Sequence, residues 1–239
     1  MSKVWGVSFL LCFVTKLAQQ KLAQAFFRGN NMDATETLED CRVVPVVVIN
    51  DHTQAVELAR VLLEAGIRAI EVTLRTSAAL RAIKLIAENV PDILVGAGSV
   101  RYVTQFDNIA ECGARFAVSP GSSDRLIEAA KMLKMPFVPG SSNASEIIYL
   151  MEQGYQLQKF FPAELSGGIA MLRALSAPLP EVSFFPTGGI TVELAPDYLA
   201  LDCVKCIGGS WFVSPDLLAN GNFQKIGELA ELAVQSSNE

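Results

Sequence analysis

From residue 43 onward the chain alternates short β-branched runs with amphipathic stretches eight times, and this alternation restricts the fold more than any other feature. VVPVVVI (43–49) predicts a strand, and 53–66 a helix stopped by Gly66. Strand and helix then follow at 67–73 and 77–90, at 92–98 and 104–113, and at 114–120 and 123–133. The series continues with 136–140 and 143–154, 155–162 and 168–176, 181–189 and a weak helix at 191–200, then 203–209 and 222–236. Strands separated by helices pair in parallel. Eight such units closing on themselves make a single (β/α)8 TIM barrel of the α/β class. The alternative, a doubly wound open sheet, lacks a GxGxxG fingerprint after the first strand.

Of the 239 residues, 51% are hydrophobic and 18% charged, so one domain with a large core is expected. The net charge of −6, with no basic stripe, argues against nucleic acid as a partner. Residues 1–31 stand apart, because they carry Lys3, Lys16, Lys21 and Arg28 and no acid. Their apolar run, 4–14, is too short to span a membrane, so no membrane partner is expected. The segment reads either as a targeting peptide, with AQA at 23–25 as the cleavage candidate, or as a mis-assigned start ahead of Met32. Without it, 208 residues remain at net −10, and the intact mass of the native protein distinguishes the two. Five cysteines without framework spacing fit a reducing compartment. Cys203 and Cys206 form a CxxC on an expected strand, where residues three apart face opposite sides, so a structural role is expected. His52 is the one histidine, at an expected helix start, and no ligand set for a metal accompanies it.

In a parallel barrel the chemistry sits at the C-terminal ends of the strands. The sixth strand carries Lys159 in QLQKFFPAE (156–164), among Leu157, Phe160 and Phe161. Loss of hydration disfavours the ammonium there and favours the neutral amine, which attacks carbonyl carbon. The alternative is a strand-end lysine that snorkels to water or pairs with a carboxylate. In the second strand, period-two alternation puts Ile67, Ala69, Glu71 and Thr73 on one face. If that face is the interior, Glu71 is a mouth carboxylate able to shuttle protons; otherwise it makes an ordinary ion pair with Arg75. TGGI (187–190) and IGGS (207–210) end the seventh and eighth strands, where barrels bind phosphate on backbone N–H groups.

GIRAIEVTLR (66–75) and KFFPAELSGG (159–168), with VGAGSV, SPG, FPTGGI and CIGGSW in order, resemble the 2-keto-3-deoxy-6-phosphogluconate / 4-hydroxy-2-oxoglutarate aldolases from about residue 43 to the C-terminus. The resemblance implies a metal-free and cofactor-free class I aldolase acting on a small keto-acid phosphate, a cytoplasmic homotrimer. It makes Lys159 the Schiff-base residue and Glu71 the general acid/base. Arg75 and Ser99 would hold the pyruvate carboxylate, Pro120 would line the pocket and Thr187 would influence selectivity. Gly188, Gly189, Gly209 and Ser210 would hold the phosphate. Arg75 would also favour the neutral Lys159 amine through its fixed charge. Two residues depart from the family pattern: Ser99 replaces a threonine, and Gln158 replaces an apolar residue. By parity Gln158 faces the helix layer, so its cost is expected in packing. Residues 1–31 have no counterpart in the family core.

Overall fold

A computed structural model of the protein describes residues 33–237. The segment 1–31, with its two competing readings, lies outside the described residues. The remainder of the chain, Met32–Glu239, is one compact unit.

The strands are β1 (Val43–Val47), β2 (Ala69–Thr73), β3 (Leu94–Gly98), β4 (Phe116–Val118), β5 (Phe137–Val138), β6 (Gly140–Ser141), β7 (Leu157–Phe160), β8 (Ser183–Phe184) and β9 (Ile207–Gly209). The α-helices are α1 (Ala55–Glu64), α2 (Ala79–Asn89), α3 (Thr104–Glu111), α4 (Asp124–Leu133), α5 (Ala144–Glu152), α6 (Gly168–Ser176), α7 (Ala195–Leu199), α8 (Pro215–Ala219) and α9 (Phe223–Ser236). A 3-10 turn at His52–Gln54 precedes α1, and Asp51 caps it by accepting the Thr53 N–H.

All strand pairs are parallel, in one sheet ordered β5-β4-β3-β2-β1-β9 and a second ordered β6-β7-β8. The expected fifth strand, 136–140, is broken at Pro139 into β5 and β6. Proline has no N–H to donate into a ladder, but its carbonyl still accepts the Lys159 N–H at 2.9 Å. The expected seventh strand, 181–189, shortens to β8, because Pro186 cannot donate and Gly188 and Gly189 adopt φ of 104° and 83°. Bridges Phe184–Val204 and Thr187–Gly208 join β8 to the β9 strand position. The strand positions therefore follow one another in chain order in a curled, TIM-barrel-like arrangement of a six-stranded and a three-stranded parallel sheet joined by isolated bridges. Helix α8 was not expected, although Ser214 as cap and Pro215 at the first helical position are its ordinary start signal.

Two apolar layers result. The outer one packs α1–α9 on the sheet through residues such as Ile70, Val72, Val95 and Ala97. The inner one fills the ring with Val44, Ala69, Phe116, Val118, Val138, Leu157, Phe185 and Cys206, together with Ala34, Leu38 and Cys41 from ahead of β1. Those last three close the N-terminal end of the barrel. Asp33 anchors them there by accepting the N–H groups of Gln156 (2.7 Å) and Leu157 (3.2 Å) where β7 begins. Burial pushes the Asp33 carboxyl above its ordinary value, against the pull of these hydrogen bonds. Residues ahead of the motifs, which begin at about residue 43, thus contribute to the inner layer. The expected eighth strand, 203–209, shortens to β9, so Cys203 and Cys206 both precede it; Cys206 belongs to the inner layer, Cys203 packs on the outer one, and the four described cysteines are free. No helix among the described residues is long and apolar enough to cross a membrane.

Candidate active site

Glu71 lies in β2 opposite Val46 of β1 and Gly96 of β3. Alternation sends Ile70 and Val72 to the outer layer and Ala69 to the inner one, so Glu71 points into the ring and is fully buried. Ile67, expected on the same face, instead joins the outer layer, because it precedes the strand and escapes its alternation. Lys159, in β7 opposite Gly140, also points inward and is 5% exposed. Its Nζ reaches Glu71 Oε1 at 3.1 Å and Oε2 at 3.3 Å, closing a contact between residues 88 apart in sequence. The Phe161 and Phe185 rings flank the ammonium, with centroids at 5.5 and 5.9 Å.

The charge that meets Lys159 is the Glu71 carboxylate, whereas Arg75 is exposed one turn beyond the strand end. Among the described residues the Arg75 guanidinium forms no ion pair. Its loop is pinned by Thr76 Oγ1, which donates to Ile49 O at 2.5 Å.

A buried ion pair is costly to desolvate, and removing one partner strands the other charge. Urea unfolding should therefore show Lys159→Met or Glu71→Leu alone losing about 3–5 kcal/mol, with the double variant close to wild type or above it. Equal losses that simply add in the double variant would contradict this coupling.

Gln158 faces the helix layer, but its amide is not merely packed. Its Oε1 accepts from Ser141 Oγ (2.9 Å), and its Nε2 donates to the Ile147 and Tyr155 carbonyls (both 3.1 Å). The expected packing cost is thus offset by a satisfied buried amide that ties the lysine strand to β6 and α5.

Two turns face each other beyond β8 and β9. Thr187 is 6% exposed, and its Oγ1 has no hydrogen-bond partner among the described residues. Among those residues the N–H groups of Gly188, Gly189 and Ser210 donate to no backbone carbonyl. The Trp211 indole lies over Gly209, where a Cβ would fall 1.9 Å from the ring, and its Nε1 is buried without a partner. Trp211 closes the CIGGSW segment, but the sequence alone assigned it no role. The segment after Lys159 carries the first of these turns: Ala163 N–H donates to Thr187 O (2.8 Å) and Glu164 N–H to Gly188 O (3.1 Å). Tyr198 donates its phenol to the Glu164 carboxylate from α7, and burial followed by that bond raises the phenol above its ordinary range. Ser99 follows β3 in a left-handed conformation (φ 57°), partly buried, and Pro120 is exposed after β4. Lys159 and Glu71 are therefore brought into contact; Gly209 ends β9, and the other predicted residues lie on the segments that follow the strands. Among the described residues no three His, Cys, Asp or Glu side chains cluster as metal ligands.

Residues 34–229 match the family described as aldolase, KDPG and KHG aldolase. The chain belongs to this family. It is 46% identical over 192 residues to the 2-dehydro-3-deoxy-phosphogluconate aldolase of Dickeya dadantii, covering 80% of this chain and 90% of that protein. To the KHG/KDPG aldolase of Escherichia coli it is 45% identical over 195 residues, covering 82% and 92% respectively. A solved Legionella pneumophila KDPG aldolase superposes with a TM-score of 0.80 at 41% identity, covering 82% of this chain and 95% of that one. That structure holds pyruvate captured at low pH as a covalent carbinolamine intermediate. As a KDPG/KHG aldolase family member, the chain is a carbon–carbon lyase with the barrel fold of its relatives. Within the barrel, the left-handed backbone at residue 99 strains serine less than it would a β-branched threonine.

Proposed function

We propose that this aldolase is a class I, Schiff-base enzyme that cleaves 2-keto-3-deoxy-6-phosphogluconate to pyruvate and glyceraldehyde 3-phosphate, and 4-hydroxy-2-oxoglutarate to pyruvate and glyoxylate. The observation that carries the reading is the buried contact of Lys159 Nζ with both Glu71 oxygens. Lys159 passes a proton to Glu71, and the free amine attacks the C2 ketone to give a carbinolamine. Glu71 returns that proton to the departing hydroxyl, so water leaves and an iminium remains. The carboxylate then takes the C4 hydroxyl proton, directly or through a water. The C3–C4 bond breaks, its electrons flow into the iminium, and the aldehyde departs. Protonation of the enamine at C3 and hydrolysis release pyruvate and regenerate Lys159.

Arg75 and Ser99 are assigned to the pyruvate carboxylate, Pro120 to the pocket wall and Thr187 to selectivity. The N–H groups of Gly188, Gly189, Gly209 and Ser210 are assigned to the phosphate. The aldolase unit is assigned to residues 32–239, with 1–31 an extension, and the enzyme is proposed to work as a cytoplasmic homotrimer without metal or cofactor. A phosphosugar-binding barrel without catalysis is disfavoured, since binding alone requires neither a nucleophile nor a base beside it.

Pyruvate release from the three candidate keto acids (the phosphogluconate, its phosphogalactonate epimer and 4-hydroxy-2-oxoglutarate) tests the reading, and release from none of them overturns it. Gly188→Ala sharpens the test, because φ is 104° there and a Cβ would lie 3.3 Å from the Pro162 Cα. It should raise KM for phosphorylated substrate by about tenfold or more, the worth of a charged hydrogen bond. KM for 4-hydroxy-2-oxoglutarate should stay near wild type, and an equal rise on both substrates would remove this turn from phosphate binding.

A further inference from the structure

Strand β3, Leu94–Gly98, places Val95 and Ala97 in the outer layer and turns Leu94, Gly96 and Gly98 toward the ring. Two of its three inward positions therefore carry no side chain. A Cβ on Gly96 would fall 2.3 Å from the Phe116 ring, which occupies that space. A Cβ on Gly98 would fall 2.1 Å from Glu71 Oε1, 2.6 Å from its Cγ and 2.7 Å from its Cδ, and these are the three nearest heavy atoms. Backbone freedom does not explain the glycine, because Gly98 lies outside the left-handed region. The oxygen that a methyl group would strike is the same Oε1 that sits 3.1 Å from Lys159 Nζ.

We propose that Gly98 is a positioning residue for the aldol reaction: the space left by its missing side chain is where the Glu71 carboxylate turns to meet Lys159. The inference rests on the assignment of Glu71 as acid/base. Register makes the arrangement specific, since Thr73 pairs with Gly98 and Glu71 with Gly96. The glutamate must therefore lean one pair toward the mouth to reach the lysine, and it leans across Gly98. An alanine there would meet the carboxylate before any other group.

The test compares Gly98→Ala, Glu71→Asp and the double variant for kcat, KM and urea midpoint, with Gly96→Ala and Glu71→Gln as controls. Gly98→Ala should lower kcat by about 10²-fold while KM changes little, as when a positioned acid/base is displaced. Aspartate is shorter by one methylene and withdraws from the new methyl. The double variant should therefore recover about tenfold in kcat over Gly98→Ala, and recover its midpoint, a coupling expected only of groups in contact. Gly96→Ala, which strikes Phe116, should lose midpoint without relief from Glu71→Asp. Three results overturn the inference: wild-type kcat in Gly98→Ala while Glu71→Gln is impaired, a double variant no better than Gly98→Ala, or failure of both Gly98 variants to fold. If Gly98→Ala does not fold and the double variant does, the contact is supported directly. Wild-type kcat in Glu71→Gln would instead remove the acid/base assignment on which the inference stands, so the two failures are distinct.

Discussion

Borohydride reduction in the presence of pyruvate is expected to leave a covalent adduct on Lys159 and on no other lysine. Lys159→Met should take up no adduct, and its kcat should fall by roughly 10⁴–10⁶-fold, the scale seen when a covalent nucleophile is removed. The expectation follows from placement. An exposed lysine is an ammonium in bulk water with no defined proton acceptor, whereas Lys159 is 5% exposed and rests against two carboxylate oxygens. Apolar rings of Phe161 and Phe185 line the rest of its surroundings, so few waters compete for the amine. Peptide mapping of the reduced protein reads the site. A wild-type protein left unlabelled under these conditions would refute the Schiff-base assignment, and labelling that survives in Lys159→Met would move it to another residue.

Glu71→Gln should lower kcat by about 10²–10⁴-fold, the usual worth of a positioned acid/base. Glutamine keeps the length and shape of the side chain and still accepts a hydrogen bond from the lysine, so packing changes little while the proton acceptor is lost. Trapping of pyruvate on Lys159 should also slow in this variant, because the amine loses its nearest base. KM should change less than kcat, which separates a proton-transfer role from a binding role. An unchanged kcat would take Glu71 out of the reaction.

Much of the frame was legible without coordinates, because its signals are local. The β-branched run at 43–49, the helix stop at Gly66 and the paired glycines at 188–189 and 208–209 each report on a few neighbouring residues. Alternation within β2 also placed Glu71 with Ala69 and Thr73 on one face, which the barrel then turned inward. It failed at Ile67, where the strand had not yet begun, and it overextended at 181–189, where Pro186 and two left-handed glycines end the ladder. The role of 33–41 was missed, since Ala34, Leu38 and Cys41 show no strand or helix pattern and are buried only by the barrel they close. For Arg75 the sequence offered only its place four residues after Glu71, and a turn pinned by Thr76 leaves it exposed at the mouth.

By itself the sequence determined the eightfold strand–helix alternation, the strand ends on which the reactive residues stand, and the chemical types available there. Those properties depend on periodicity and turn chemistry, which act over fewer than about ten residues. Only the tertiary structure decided that Lys159 touches Glu71, that Gln158 is a satisfied buried amide, and that Gly98 leaves room for a carboxylate. Contacts across 88 residues depend on the register and tilt of every strand between the partners, and many packing contacts, each weak by itself, jointly set those quantities.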